Sequence, residues 1–228
     1  MENFSAFADR PALMQAAAER MARAANDAIA ARGSACLALS GGSTPEPAYR
    51  ALAAMKLDWL KITLALVDER FVPPSDNASN EKLVQRAFEP VFAQGAQFKP
   101  MFFATSTVAQ AADCAETLYA PLHIDFALMG MGDDGHTASW FPGATARPLD
   151  PTTRRTVIDV HAPQAAGSPD RLTLTGGAYG RITSALLLIA GRDKRQRLER
   201  AARQPVDQAP VAALFAPGAP KLEIFWAP

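Results

Sequence analysis

Cysteine is nearly absent: Cys36 and Cys114 are the only two in 228 residues, far apart and in no C-x-x-C arrangement, so no disulfide framework and no cysteine-based metal site is encoded. Both are read as buried thiols. An excess of charge is absent too, with 23 Lys plus Arg against 23 Asp plus Glu, which leaves no global field to attract nucleic acid or an anionic membrane. Any anion specificity must be local. No run approaches the ~18 apolar residues of a membrane span, and the opening MENFSAFADRP holds no continuous apolar segment of the secretory kind. A cytoplasmic protein is expected, so the sequon Asn77-Ala78-Ser79 is read as chance. Histidine is scarce, and none of His123, His136 and His161 has a second His or Cys at ligand spacing, which argues against a metal site. Internal repeats, low-complexity tracts and linkers are lacking.

What is present is the balance of a folded globular chain, 49% apolar and 20% charged. One domain over residues 1–228 is expected, able to bury roughly 70% of the surface its unfolded chain exposes. Helical spacing runs from Pro11 to Arg32 and stops at Gly33; further helices are read at Pro47 to Met55, Asn80 to Phe88 and Asp193 to Arg203. Short apolar runs without alternation lie at Ala35 to Leu39, Ile62 to Val67, Ile124 to Met129 and Leu186 to Ala190. Arg155 to Val160, Arg171 to Thr175 and Leu222 to Trp226 also read as strands. Runs of this type, followed by helical patterns, indicate strands buried on both faces of a mostly parallel sheet, an α/β fold. Eighteen prolines, about 8% against the usual ~5%, mark several well-defined loops.

In open parallel sheets ligands collect beyond the carboxyl ends of the strands, so the residues after each apolar run are the candidates. Ser40-Gly41-Gly42-Ser43-Thr44-Pro45 precedes a helix and suits a phosphate through its backbone N–H groups, although it is neither a Walker A nor a dinucleotide fingerprint; the plain alternative is a capped turn. Asp68-Glu69-Arg70 offers a guanidinium for a phosphate or a polarised carbonyl, with a neighbouring carboxylate to orient it, or else a surface ion pair. Ser79-Asn80-Glu81 reads as a helix cap. Gly130-Met131-Gly132-Asp133-Asp134-Gly135-His136 surrounds an imidazole with three glycines, a placement suited to a general base oriented by Asp134 or its neighbour Asp133; a turn histidine is the alternative. Gly191-Arg192-Asp193-Lys194 places Lys194 in the first turn of a helix as a point charge for phosphate, against the plainer reading of a solvated basic face.

Taken together, LALSGGSTP (Leu37 to Pro45), VDERFVP (Val67 to Pro73), SNEKLV (Ser79 to Val84), GMGDDGHTASWFPG (Gly130 to Gly143), RLTLT (Arg171 to Thr175) and GRDK (Gly191 to Lys194) resemble the 6-phosphogluconolactonase family, part of a wider group with sugar-phosphate isomerases and glucosamine-6-phosphate deaminases. The resemblance runs nearly end to end. It implies a three-layer α/β/α Rossmann-like fold without a nucleotide cofactor, and hydrolysis of 6-phospho-D-glucono-1,5-lactone to 6-phospho-D-gluconate in the oxidative pentose phosphate pathway. Under it, His136, Asp134 and Arg70 are the catalytic candidates, and Gly41, Gly42, Ser43, Thr44, Asp68, Arg171 and Lys194 bind substrate or its phosphate. No metal or other cofactor is implied, the partner is a sugar phosphate lactone, and the chain is expected to be a monomer or small homo-oligomer.

The deaminases typically continue after D-G-H as Ile-Ala-Phe-Asn-Glu-Pro and have Asp-Glu-Tyr at the earlier motif. Here the segments read Thr137-Ala138-Ser139-Trp140-Phe141-Pro142 and Asp68-Glu69-Arg70, which favours the lactonase branch. Lactonases more often carry Leu where Trp140 stands, a change expected at the pocket wall. Gly176-Gly177-Ala178-Tyr179 is richer in glycine than the family pattern. A deaminase or isomerase using Asp68 to move a proton between C1 and C2, and a non-catalytic sugar-phosphate sensor, are the alternatives.

Overall fold

Asp9 starts the longest helix by accepting the Ala12 N–H at 2.8 Å, Pro11 sits in the first turn where a missing N–H is harmless, and Gly33 stops it with its N–H on Ile29 O. This helix, α1 (Arg10–Arg32), buries an alanine- and methionine-rich face that includes Leu13, Ala17 and Met21. In the computed structural model residues 3–144 and 147–228 are described; Met1 and Glu2 of the opening stretch lie outside them. Around α1 the chain forms β1 (Phe4–Ala6), β2 (Ala35–Leu39), α2 (Glu46–Ala53), β3 (Ile62–Leu66), β4 (Asp68–Arg70), α3 (Asn80–Ala87), α4 (Glu89–Phe92) and β5 (Gln97–Phe98). There follow α5 (Val108–Tyr119), β6 (Phe126–Met129), β7 (Val157–His161), β8 (Asp170–Leu174), α6 (Gly176–Tyr179), β9 (Ser184–Ala190), α7 (Arg192–Ala201) and β10 (Lys221–Ala227).

Seven strands make one parallel sheet in the order β1-β10-β9-β6-β2-β3-β5, flanked by helices in the expected α/β arrangement. Its central strands are apolar on both faces, as in Ala35–Leu39, where every residue is buried. Helix α1 packs on β2, β6, β9 and β10, and α7 on β9. From β2 the chain winds outward through β3 to β5, then returns to β6 on the other side of β2 and continues through β9 to β10. The crevice between β2 and β6 is therefore the topological switch point, the place where open α/β sheets hold ligands.

Two of the expected strands do not join that sheet. The runs read at Arg155 to Val160 and Arg171 to Thr175 form β7 and β8, which pair antiparallel with each other and with β4 in a second, three-stranded sheet. Asp68-Glu69-Arg70, read as the end of a strand, is itself the edge of this sheet. Val67 joins the two layers: its N–H bonds Leu39 O at 3.0 Å and its carbonyl accepts Leu174 N–H at 2.9 Å. Helix α5 covers β7 and β8. Thr175 caps the single turn of α6 by accepting Ala178 N–H, so the glycine-rich segment starts cleanly. Of the two cysteines only Cys36 is buried; Cys114 lies exposed on α5, contrary to the sequence reading.

Candidate active site

The backbone of β2 leaves the sheet at Ser40, whose N–H still bonds Leu128 O at 3.1 Å and whose carbonyl accepts the buried Tyr49 hydroxyl at 2.7 Å. The loop to Pro45 is thereby anchored at its start. Across the switch point, the segment after β6 turns back on itself through Gly132 N–H to His136 O at 2.8 Å. A methyl at Gly132 would overlap the His136 ring, so the turn needs glycine to seat the imidazole. These two loops, with residues from β4, β8 and α7, enclose a cavity of about 220 Å³ lined by Gly41, Gly42, Thr44, Asp68, Arg70, His136, Arg171 and Lys194. Every one of these was a site candidate from sequence. Ser43 is exposed and does not line the cavity, and Asp134 lies behind His136 rather than on the wall.

His136 Nδ1 and its backbone N–H both contact Asp134 Oδ1, at 2.6 and 3.0 Å, so of the two neighbouring acids it is Asp134 that meets the ring. Asp133 instead pairs with Lys194 Nζ at 2.7 Å, and Lys194 also donates to Met131 O at 2.7 Å. Burial raises the Asp134 carboxyl, but the hydrogen bonds and charge of His136 outweigh it and bring it down to about 2. The imidazole is half-buried, with its ring 4.7 Å from that of Phe141. Behind the turn, Arg197 donates to Asp134 O and to Gln204 Oε1, both at 2.5 Å, and fixes the loop to α7.

Arg70 and Arg171 are cross-strand partners in the second sheet, so two guanidinium groups stand side by side at one wall. Burial pulls Arg171 below its ordinary value, with Asp68 opposing that shift. Its Nε and Nη2 donate to Ser168 O and Ala166 O, and its guanidinium lies 5.6 Å from the Phe141 ring. Arg70 is not oriented by a carboxylate, as expected from sequence, but by the Ala78 carbonyl. The adjacent Glu69 is fully buried and accepts the N–H groups of Arg70, Asn80 and Glu81, each at 2.7 Å, and the Ser79 hydroxyl at 3.1 Å. That carboxylate caps α3 from outside and locks β4 to it. Ser79 is the expected cap as well, accepting Lys82 N–H.

Several contributors were not read from the sequence. Asn80, taken as part of a cap, donates from Nδ2 to Asp68 O at 2.8 Å and Oδ1 at 3.2 Å and packs so closely on Gly41 that a methyl there would overlap its amide. Ser139 donates to Asp68 Oδ2 at 2.6 Å. Trp140, expected at the pocket wall, is fully buried away from it, its indole N–H on Leu174 O at 2.7 Å and its ring edge-on to Tyr179 at 5.9 Å. Among the described residues no group of three or more His, Cys, Asp or Glu is placed to hold a metal ion, and no helix is long and apolar enough to cross a membrane.

Residues 8–226 match the family model described as glucosamine-6-phosphate isomerases/6-phosphogluconolactonase. The chain belongs to this family. Within it, the chain is 42% identical to a 6-phosphogluconolactonase of Rhizobium meliloti, covering 99% of both sequences, and 38% identical to one of Caulobacter vibrioides, covering 97% of this chain and 96% of the relative. Its fold matches the crystal structure of a 6-phosphogluconolactonase from Shewanella baltica with a TM-score of 0.92 at 31% identity, over 99% of this chain and 97% of that one. The lactonase resemblance read from the loops is thus supported over nearly the whole length of the chain, and the match includes every loop that builds the cavity.

Proposed function

We propose that this chain hydrolyses 6-phospho-D-glucono-1,5-lactone to 6-phospho-D-gluconate, with His136 as general base. The observation that carries the reading is the pairing of His136 Nδ1 with Asp134 at 2.6 Å in a cavity that also holds Arg70, Arg171 and Lys194. A ring that donates from Nδ1 keeps its lone pair on Nε2, free to take a proton from water. The Gly41 to Thr44 loop, Lys194 and Arg171 hold the phosphate, while Asp68 accepts from a sugar hydroxyl. Distance between the phosphate and C1 then selects the substrate.

As Nε2 takes a water proton, the hydroxide forms a bond to C1 and the carbonyl pair moves onto oxygen. Arg70 or loop N–H groups stabilise that oxyanion. Collapse breaks the bond from C1 to the ring oxygen, which receives the proton back from His136; Asp134 stabilises the imidazolium in between. One residue serves both half-steps, with no covalent intermediate. We assign the reaction to the oxidative pentose phosphate pathway, in the cytoplasm, carried out by a single domain that is a monomer or small homo-oligomer and needs no nucleic-acid partner.

The test is lactone disappearance above the uncatalysed rate, with lactone generated in place from glucose 6-phosphate. His136→Ala is expected to lose about 10²–10⁴-fold in kcat while 6-phosphogluconate binding persists. Unchanged turnover removes His136 from the role. A wild-type rate no greater than background removes the lactonase reading, and ammonia release from glucosamine 6-phosphate would then support the deaminase alternative.

A further inference from the structure

Ala138 has φ +47°, a left-handed conformation that an alanine adopts only against its own Cβ, and apart from Asn3 it is the one described non-glycine residue with positive φ. Its neighbours hold it there. Thr137 donates its hydroxyl to Gly130 O at 2.7 Å, at the end of β6. On the other side, Ser139 is fully buried, with its N–H on Thr173 Oγ1 at 3.3 Å and its hydroxyl on Asp68 Oδ2 at 2.6 Å. Trp140 closes the turn through its N–H on Thr137 O at 3.0 Å. The strained residue is thus clamped between the parallel sheet, which carries the His136 loop, and the second sheet, which carries Asp68.

We propose that Ala138 is a positioning residue whose left-handed backbone sets the placement of His136 relative to Asp68, with the Ser139 hydroxyl as the anchor on the Asp68 side. Strain persists in a fold only where the surroundings over-determine it. Here the flanking bonds reach both walls of one cavity, and the only chain between the imidazole and the Asp68 anchor is Thr137-Ala138-Ser139. A residue that refuses the left-handed conformation would pull the two walls out of register. The inference rests on the reading of His136 as the base.

The experiment compares wild type, Ala138→Gly, Ala138→Val, Ser139→Ala and the double variant Ala138→Val/Ser139→Ala in the lactone assay, with thermal unfolding of each and His136→Ala as the reference. Glycine adopts the left-handed conformation without a Cβ clash, so Ala138→Gly is expected to keep or raise the thermal midpoint and to keep kcat within about twofold. Ala138→Val, whose branched Cβ resists that conformation, is expected to lower kcat of the folded fraction about 10- to 100-fold, the range that loss of precise alignment produces. KM should stay within about threefold, because the phosphate loop is untouched. Ser139 does not line the cavity, so a similar kcat loss in Ser139→Ala would come through the anchor and not through a change of wall. The double variant should then be no slower than the worse single one. The proposal is overturned if the folded fraction of Ala138→Val keeps wild-type kcat, if that variant acts on KM alone, if Ala138→Gly loses kcat as heavily as Ala138→Val, or if the Ala138→Val and Ser139→Ala losses multiply. Should His136→Ala itself retain full activity, the base assignment has failed, an outcome these variants do not mimic.

Discussion

At the scale of single residues, most of the charged side chains that line the candidate site were ones that sequence could point to. Asp68, His136 and Lys194 lie in the segments that leave apolar runs, and a segment just past a buried parallel strand has few places to go but the crevice. The partners that orient them were less legible, because Asn80 and Ser139 reach Asp68 from segments 12 and 71 residues away in sequence. Asp134 carries the first prediction. With its carboxyl brought down to about 2, the folded state favours the ionised form. Its contribution is in place above the ordinary carboxylate range near pH 3.9 and is lost as pH falls through about 2. Loss of kcat on mild acidification therefore belongs to other groups. Asp134→Asn should lower kcat by about 10²-fold across the neutral range, since an amide neither fixes the ring tautomer nor stabilises the imidazolium. A kcat within twofold of wild type would place the orienting charge elsewhere. Gly41 carries the second. A methyl there overlaps Asn80, so Gly41→Ala should cost about 1–3 kcal/mol of stability and raise KM through the displaced phosphate loop, read by thermal unfolding and the lactone assay.

At the scale of elements, the starts and stops of β2, β3, β6, β9 and β10 and of α1, α2, α3 and α7 were legible within a residue or two, because caps, glycines and doubly buried apolar runs are local signals, whereas the short edge strands β1 and β5 and helix α5 went unread. The second sheet was not legible. Strands β7 (VIDVH) and β8 (DRLTL) interrupt their apolar residues with polar ones, and nothing within them states that their partners are each other and β4. Strand β4 is also too short, at three residues, to register as a strand by pattern. Its stability comes from Glu69, which burial pushes up to about 7 against the backbone N–H groups of Asn80, Glu81 and Arg70 that pull it down. A raised carboxyl means that the folded state holds the proton more tightly than the unfolded one. Its contribution is complete below the unfolded value near 4.3 and is lost as pH rises through about 7, on the order of 3 kcal/mol across that window. Glu69→Gln removes this titration. The stability gap between wild type and Glu69→Gln, followed by urea unfolding, should shrink from pH 4.5 to pH 8; a gap that widens would mean that the carboxylate is ionised throughout. Because Glu69 fixes the backbone at Arg70 and Asn80, the variant should also lose activity before it loses its fold.

At the scale of the whole molecule, strand order was invisible to sequence reading, since period and length say nothing about which buried strands are neighbours. It is the order that places the site, by bringing β2 and β6 together with opposite windings on either side. Strand β2 is also where the only buried cysteine lies, and this gives a probe of the sheet as a unit. Burial pushes the Cys36 thiol up to about 12, and its backbone N–H is tied to Asp125 Oδ2 at 2.8 Å, whereas Cys114 is exposed on α5. A thiol reagent added to the native protein should modify Cys114 at once and Cys36 only as the sheet opens, because the thiolate is the reactive form and neither reagent nor charge reaches the core. In the binding mode proposed above, 6-phosphogluconate would span loops that leave β2, β6 and β9 and so stabilise the closed sheet by mass action. At 100 times its Kd that is about 2.7 kcal/mol, or roughly a 100-fold slower modification of Cys36. Cys114 should react at the same rate with and without ligand. If Cys36 were labelled as fast as Cys114, β2 would open locally without the rest of the sheet. If ligand slowed neither, the product would not be binding across the switch point, and the functional reading and the topology would part company at that step.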